Sequence, residues 1–305
     1  MFKYSLDNKR YHTLNYFYKQ KWHQKISKIS LNGNFSCPNY QNNQGCIFCS
    51  LSGSGEFAGS KTKDIKTQFL EIKNKMDQKW PNALYIAYFQ ANTNTYAPLE
   101  VLKKKYEEAL DIKNVVGLSI ATRCDCLSEE ILDYLEQLNQ KTYLTVELGL
   151  QSMHEKTLKY INRGHDLQSF DEAVKKLQKR NINVVVHIIN GLPYETKEMM
   201  VQTVKHLNAL KINGIKIHML YILKNTKLAQ IYEKEKFHLL TKEEYIDIVC
   251  EQLRYLDEKI VIHRITGDPK KEDLIAPKWL LKKFCVLNDI DKEMKNRDIY
   301  QADAL

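Results

Sequence analysis

Glycine and proline are scarce in this chain. With eleven glycines and six prolines in 305 residues, no stretch reads as a flexible linker, and there is neither a fixed-period repeat nor a low-complexity tract. Long apolar runs are missing as well: none approaches the roughly 18 residues that a membrane span needs. The opening, MFKYSLDNKRYH, is too charged and polar for a secretory signal. Cysteine is the last shortage. Seven residues, odd in number and unevenly placed, do not make a disulfide framework. The expectation is a cytoplasmic protein, off the membrane, with ample core material at 43% hydrophobic residues.

Three of the cysteines crowd into one run, CPNYQNNQGCIFC, as Cys37, Cys46 and Cys49, with Phe48 just before the third. Three thiolates do not saturate a four-coordinate metal, and an open position is where metal chemistry takes place. Iron–sulfur clusters usually take four cysteines. A Cys-x2-Cys pair is also half of a zinc ribbon, with Cys124 or Cys126 available as the fourth ligand. On spacing alone the triad divides between these two readings.

Charge is distributed unevenly. Residues 1–30 hold seven basic side chains against one acid, Asp7, and so supply +6 of the net +9. Tyr4, Tyr11, Tyr16, Phe17, Tyr18 and Trp22 interleave with them. Cations for phosphates beside rings for bases are the composition of an RNA-binding surface, and Arg10, Lys19, Lys21 and Lys25 are its candidates. The aromatics taken singly suit packing against the body of the domain better.

From residue 26 onward, apolar β-branched runs alternate with helical patterns. The runs are 26–32, 83–89, 115–121, 142–150, 182–189, 214–220 and 259–265. Helices are expected over 65–76, near 98–111, from Ser128 as N-cap through 138, and near 169–180, 196–210 and 241–258. Strands separated by helices pair in parallel through right-handed crossovers. The fold class is therefore α/β, a partial (β/α)6 TIM-type barrel with a further strand and a helical C-terminal extension. The boundaries read as 1–25 for the basic aromatic segment, 26–266 for the barrel and 267–305 for the extension. Active sites of such barrels lie where the strands end. The triad, Gln90 to Thr95, Arg123 with Asp125, Gln151 with Ser152, and Asn190 with Gly191 all fall at strand ends. In the fourth strand Glu147, Gly149 and Gln151 alternate with Val146, Leu148 and Leu150, a polar wall that is costly inside a barrel unless it binds something.

The triad and the strings YFQANTNTYAP (88–98), LSIATRCDCL (118–127), VELGLQS (146–152), INRGHD (161–166), HIINGLP (187–193) and HRITGDP (263–269) resemble the radical S-adenosylmethionine (SAM) superfamily. The first cysteine gap is eight residues rather than three, as in the group resembling the Elongator catalytic subunit and its stand-alone bacterial members. The resemblance implies a [4Fe-4S] cluster on Cys37, Cys46 and Cys49, with SAM on the fourth iron. An external electron donor such as a flavodoxin or ferredoxin would drive SAM cleavage to methionine and a 5′-deoxyadenosyl radical. It also implies SAM contacts from Gln90, Asn92, Thr93, Glu147, Gln151, Arg163 and His187, and a hydrogen-donating or pocket-lining thiol at Cys126. No room remains for the acetyltransferase domain of the Elongator subunit. The expected reaction is modification of a tRNA wobble uridine, from 5-carboxymethylaminomethyl to 5-aminomethyl. Another RNA or small-molecule substrate is the rival within the class, and a zinc-stabilised, non-catalytic RNA-binding protein is the rival outside it.

Overall fold

The computed structural model describes residues 2–43, 45–50 and 52–305. Its strands are β1 (Ile26–Leu31), β2 (Leu84–Phe89), β3 (Val115–Thr122), β4 (Tyr143–Gln151), β5 (Asn183–Asn190), β6 (Gly214–Met219), the two-residue β7 (Ile222–Leu223), β8 (Val261–Arg264) and β9 (Leu274–Ala276). Seven of them form one sheet in the order β1-β2-β3-β4-β5-β6-β8, and every pairing is parallel. β7 and β9 form a small antiparallel ribbon beside it. The strands are apolar on the helix-facing side and largely buried on both, as parallel strands are.

The crossover helices start where their sequences supply a cap. Asp64 accepts from Thr67 N–H ahead of α3 (Ile65–Asp77), Ser128 from Ile131 ahead of α5 (Glu129–Lys141), and Asp166 from Ser169 ahead of α7 (Leu167–Lys179). Thr196 does the same for α8 (Lys197–Ala209), and Thr241 with Glu244 makes a full capping box for α10 (Lys242–Arg254). α4 (Leu99–Leu110) starts behind Pro98 without a side-chain cap.

The sheet rolls into a barrel that its own strands do not close. Lys28 on β1 and Lys216 on β6 both reach Glu147 on β4, which only a strongly curled sheet allows. Helix α1 (Leu14–Trp22) spans the open seam: it packs on β1 and on β8, and Thr13 just before it bridges to Ile262. Its aromatic face lies under the starts of the strands. Tyr18 is buried with Ile26 and Ile86, while Phe17 and Trp22 pack among Leu84, Val116 and Tyr143. The first residues are tied to the C-terminal part by Lys3–Glu258, Lys9–Asp291 and Arg10–Asp298. Val286, Ile290 and Met294 of α11 (Lys283–Asn296) belong to the same apolar core as the barrel.

Candidate active site

The triad sits in the loop after β1, and the segment after β2 holds that loop on both sides. Thr93 N–H donates to the Ser36 carbonyl (3.2 Å), just ahead of Cys37. Beyond Cys49, Asn92 N–H donates to the Gly53 carbonyl (2.8 Å) and Gln90 Nε2 to the Ser54 carbonyl (2.7 Å). Asn92 adopts the left-handed conformation at φ 63°, one of the few that asparagine tolerates. Gly53, at φ +59°, has no room for a side chain: a Cβ there would come within 1.9 Å of Asn92 Oδ1. The residues named as SAM contacts after β2 therefore also shape the cysteine loop.

Asn39, in the short helix α2 (Pro38–Asn43), places its Nδ2 3.4 Å from Cys46 Sγ and 2.7 Å from the Asn162 carbonyl. Hydrogen bonds to ligand sulfurs are a main lever on cluster potential. All three cysteines line one cavity of about 450 Å³ at the C-terminal ends of the strands. Burial, then the Cys46 and Cys37 sulfurs, push the Cys49 thiol up to about 12. Three thiols on the wall of one cavity fit a cluster that takes its protein ligands on three irons and leaves the fourth open.

Gln90, Asn92, Thr93, Glu147, Gln151, Arg163 and His187 line this same cavity. Glu147, His187 and Arg163 are engaged by the protein. Glu147 is fully buried, with four donors from four strands: Lys28 (2.8 Å) and Ser119 (2.7 Å) on Oε1, His187 (2.7 Å) and Lys216 on Oε2. Burial alone would raise its pKa, but Lys216, Lys28 and His187 hold it well below the carboxylate range. It is the hub of the barrel floor, with no acceptor position left over for a ribose. Arg163 donates through Nε (3.2 Å) and Nη2 (2.6 Å) to the Gly149 carbonyl, and its own carbonyl accepts from Arg123. Gly149 makes room for this grip, since a Cβ there would meet Gln151 Nε2 at 2.8 Å and Arg163 Nη2 at 2.9 Å. His187 is neutral: burial first, then Lys216, brings it down to about 4. Gln151, at φ 72°, keeps an amide at the cavity wall.

Cys126 lies elsewhere. It lines a second, larger cavity of about 850 Å³ with Cys124, Asp125, Tyr96 and Lys176. The sequence argument passed over Lys28, Lys216, Tyr88, His218 and Arg264, which line the triad's cavity. A lysine in the middle of an apolar strand, as in ISKISL and GIKIHM, was the available signal.

At the other end of the barrel, Lys19 and Lys21 are exposed on α1, Lys21 over the rings of Trp22 and Tyr143, and Lys25 lies over Trp80. Arg10 differs from these three: it pairs with Asp298 and stacks on Tyr300.

The family model described as the Radical SAM superfamily matches residues 42–207, and that of the Radical_SAM C-terminal domain matches residues 212–296. The chain is 50% identical to the protein YtqA of Bacillus subtilis over 99% of this chain and 94% of that one. It is 26% identical to the tRNA uridine(34) acetyltransferase of Methanocaldococcus infernus over 54% of this chain and 32% of that one. Among solved structures, the archaeal M. infernus Elp3 lacking its N-terminus superposes with a TM-score of 0.67 at 18% identity, covering 91% of this chain and 64% of that one, a likeness of fold. Enzymes of the matched family use a [4Fe-4S] cluster and S-adenosylmethionine. The chain belongs to the radical SAM superfamily.

Proposed function

We propose that the protein modifies the wobble uridine of tRNA, removing the carboxymethyl part of a 5-carboxymethylaminomethyl group to leave 5-aminomethyl. One observation carries the reading: a single cavity at the strand ends gathers the three thiols, the amides of Gln90 and Gln151 and a fixed polar floor. The similarity to a tRNA uridine(34) acetyltransferase supports the choice of RNA.

When bound, the cluster and SAM supply one-electron chemistry that takes a hydrogen atom from carbon. The chain's residues do the rest. Cys37, Cys46 and Cys49 hold the cluster, and Asn39 donates to one of its sulfurs. Gln151 and the segment from Gln90 to Thr93 bind and orient SAM. Arg163 holds the end of β4 in place, while Glu147 and His187 keep the floor rigid. The aromatic face of α1 keeps water from entering the barrel from below. An external flavodoxin or ferredoxin supplies the electron, in the cytoplasm; among the described residues no helix is long and apolar enough to cross a membrane.

Mass spectrometry of tRNA nucleosides from a deletion strain tests the reading. The expected result is accumulation of the carboxymethylaminomethyl nucleoside, reversed by the wild-type gene and not by a Cys46→Ala copy. An unchanged nucleoside profile overturns it.

A further inference from the structure

Among the described residues, Arg264 is the cation of the cavity whose side chain has no partner. Lys28 and Lys216 pair with Glu147, Arg123 forks onto Asp125, and Arg163 is held by the Gly149 carbonyl. The Arg264 side chain makes no hydrogen bond or ion pair among the described residues, although it lines the cavity. The carboxylates nearby are occupied: Asp268 pairs with Lys283, and Glu56 accepts from Ser50.

Arg264 is exposed at the cavity's mouth, and the sheet register shows why its side chain is on that side. Gly149, His187, Lys216 and Arg264 are consecutive partners across β4, β5, β6 and β8. Paired residues of neighbouring strands share a face, so Arg264 lies on the face of Lys216, whose ammonium reaches the interior hub. Strict alternation along β8 would have put Arg264 on the side of Ile262, which packs into the apolar core. An irregularity in the β6–β8 pairing intervenes. Ile215 pairs with Ile262 but Lys216 pairs with Arg264, so His263 is the extra residue of a bulge. Such bulges re-aim a side chain and collect beside active sites. His263 and Arg264 both line the cavity as a result. The positive charge of Arg264 is felt by Tyr88, His187, Lys216, His218 and Tyr221, all of them lining the same cavity.

A guanidinium left unpaired in a concave polar site matches a planar oxyanion through two parallel hydrogen bonds. Phosphates of a bound RNA run along its backbone outside the barrel, whereas the base and its substituent are the parts that enter. We propose that Arg264 is a specificity-determining residue that binds a carboxylate on the substrate's reacting substituent. In the wobble-uridine reading, on which this inference rests, that group is the carboxylate of the carboxymethyl arm. SAM carries a carboxylate too, so the test separates the two sources.

Cluster-loaded wild type, Arg264→Gln and Arg264→Lys are compared in three measurements: SAM affinity, binding of free 5-carboxymethylaminomethyl-uridine against 5-aminomethyl-uridine by calorimetry, and conversion of tRNA carrying the first nucleoside. Wild type is expected to prefer the carboxylated nucleoside by about tenfold or more, the scale of one charge-assisted hydrogen bond. Arg264→Gln should abolish the preference and lower conversion by a similar factor, with SAM affinity and iron content unchanged; Arg264→Lys should restore part of both. No preference in wild type, or an equal preference in Arg264→Gln, overturns the proposal whatever the turnover. Loss of SAM affinity in Arg264→Gln also overturns it and assigns the arginine to the cofactor. A preference that depends on Arg264, without any conversion by wild type, upholds this inference and removes the wobble-uridine reaction instead.

Discussion

The two ends of the barrel use the same strands in opposite ways. Below, where the strands start, charges and rings are spent on holding the chain together. Lys3, Lys9 and Arg10 pair with acids of the C-terminal part, and Phe17, Tyr18 and Trp22 pack under the sheet. Above, where the strands end, thiols and polar side chains gather around a cavity instead. Asn92 and Gln151 take positive φ, three thiols share one cavity, and Arg264 is turned to its mouth by a bulge. The difference teaches that aromatic and basic composition marks a functional surface only after packing has claimed its share.

The largest effect that separates the ends is loss of the cluster. Replacing Cys37, Cys46 or Cys49 by Ala should abolish iron binding and SAM cleavage together while the strand-start end stays folded, read by iron content, the absorbance band of the cluster and circular dichroism. A variant at any of the three that keeps full iron and wild-type SAM cleavage would remove that cysteine from the ligand set.

The next effect concerns the layer between the two ends. Glu147→Ala leaves Lys28 and Lys216 without their counter-charge, and breaking a buried ion pair from one side costs about 3–5 kcal/mol. Chemical denaturation should show a loss of that size. A change below 1 kcal/mol would mean that the two lysines relax into water through the open mouth.

How much of this was legible in the sequence follows from which signals are local. Hydrophobic runs and capping residues are local, so the seven strands fell within a residue or two of their places, with Ser128 capping α5. The cysteine spacing is local too. Register is not: Arg264 faces the cavity because of one extra residue in β8, and a slip of one residue turns every side chain of a strand to the other face. Cys126, three residues beyond cavity-lining Arg123, turns through a short 3-10 segment into the other cavity. The resemblance gives Arg163 of INRGHD to SAM, and only the fold shows the Gly149 carbonyl, fourteen residues back, taking its guanidinium.

Acid should weaken the middle layer before it weakens the lower end. The folded state holds His187 down to about 4 and Glu147 well below the carboxylate range, so between those values and the ordinary ones near 6.5 and 4.5 it carries fewer protons than the unfolded chain. Stability is then fully present above about pH 6.5 and is lost as pH falls toward 4. Thermal midpoints measured from pH 7.5 to 4.5 should decline less steeply in His187→Asn than in wild type. Parallel declines would mean that other groups set the acid limit.

The smallest effect decides whether the lower end has a function beyond packing. Arg10 is committed to Asp298, but Lys19, Lys21 and Lys25 have no acidic partner among the described residues, and Lys21 and Lys25 lie over rings. They lie at the strand starts, a barrel's length from the cysteines, so RNA touching both ends must reach around the molecule. If these three hold phosphates, their replacement by Gln should flatten the log–log salt dependence of tRNA binding by about 2 units, at ~0.7 per phosphate of a single strand. SAM cleavage without RNA should be untouched, since no side chain of the cavity changes. Salt titrations of wild type and the triple variant side by side read the difference. Equal slopes would confine RNA recognition to the upper end, where Arg264 stands unpaired, and leave α1 with one task, closing the barrel from below.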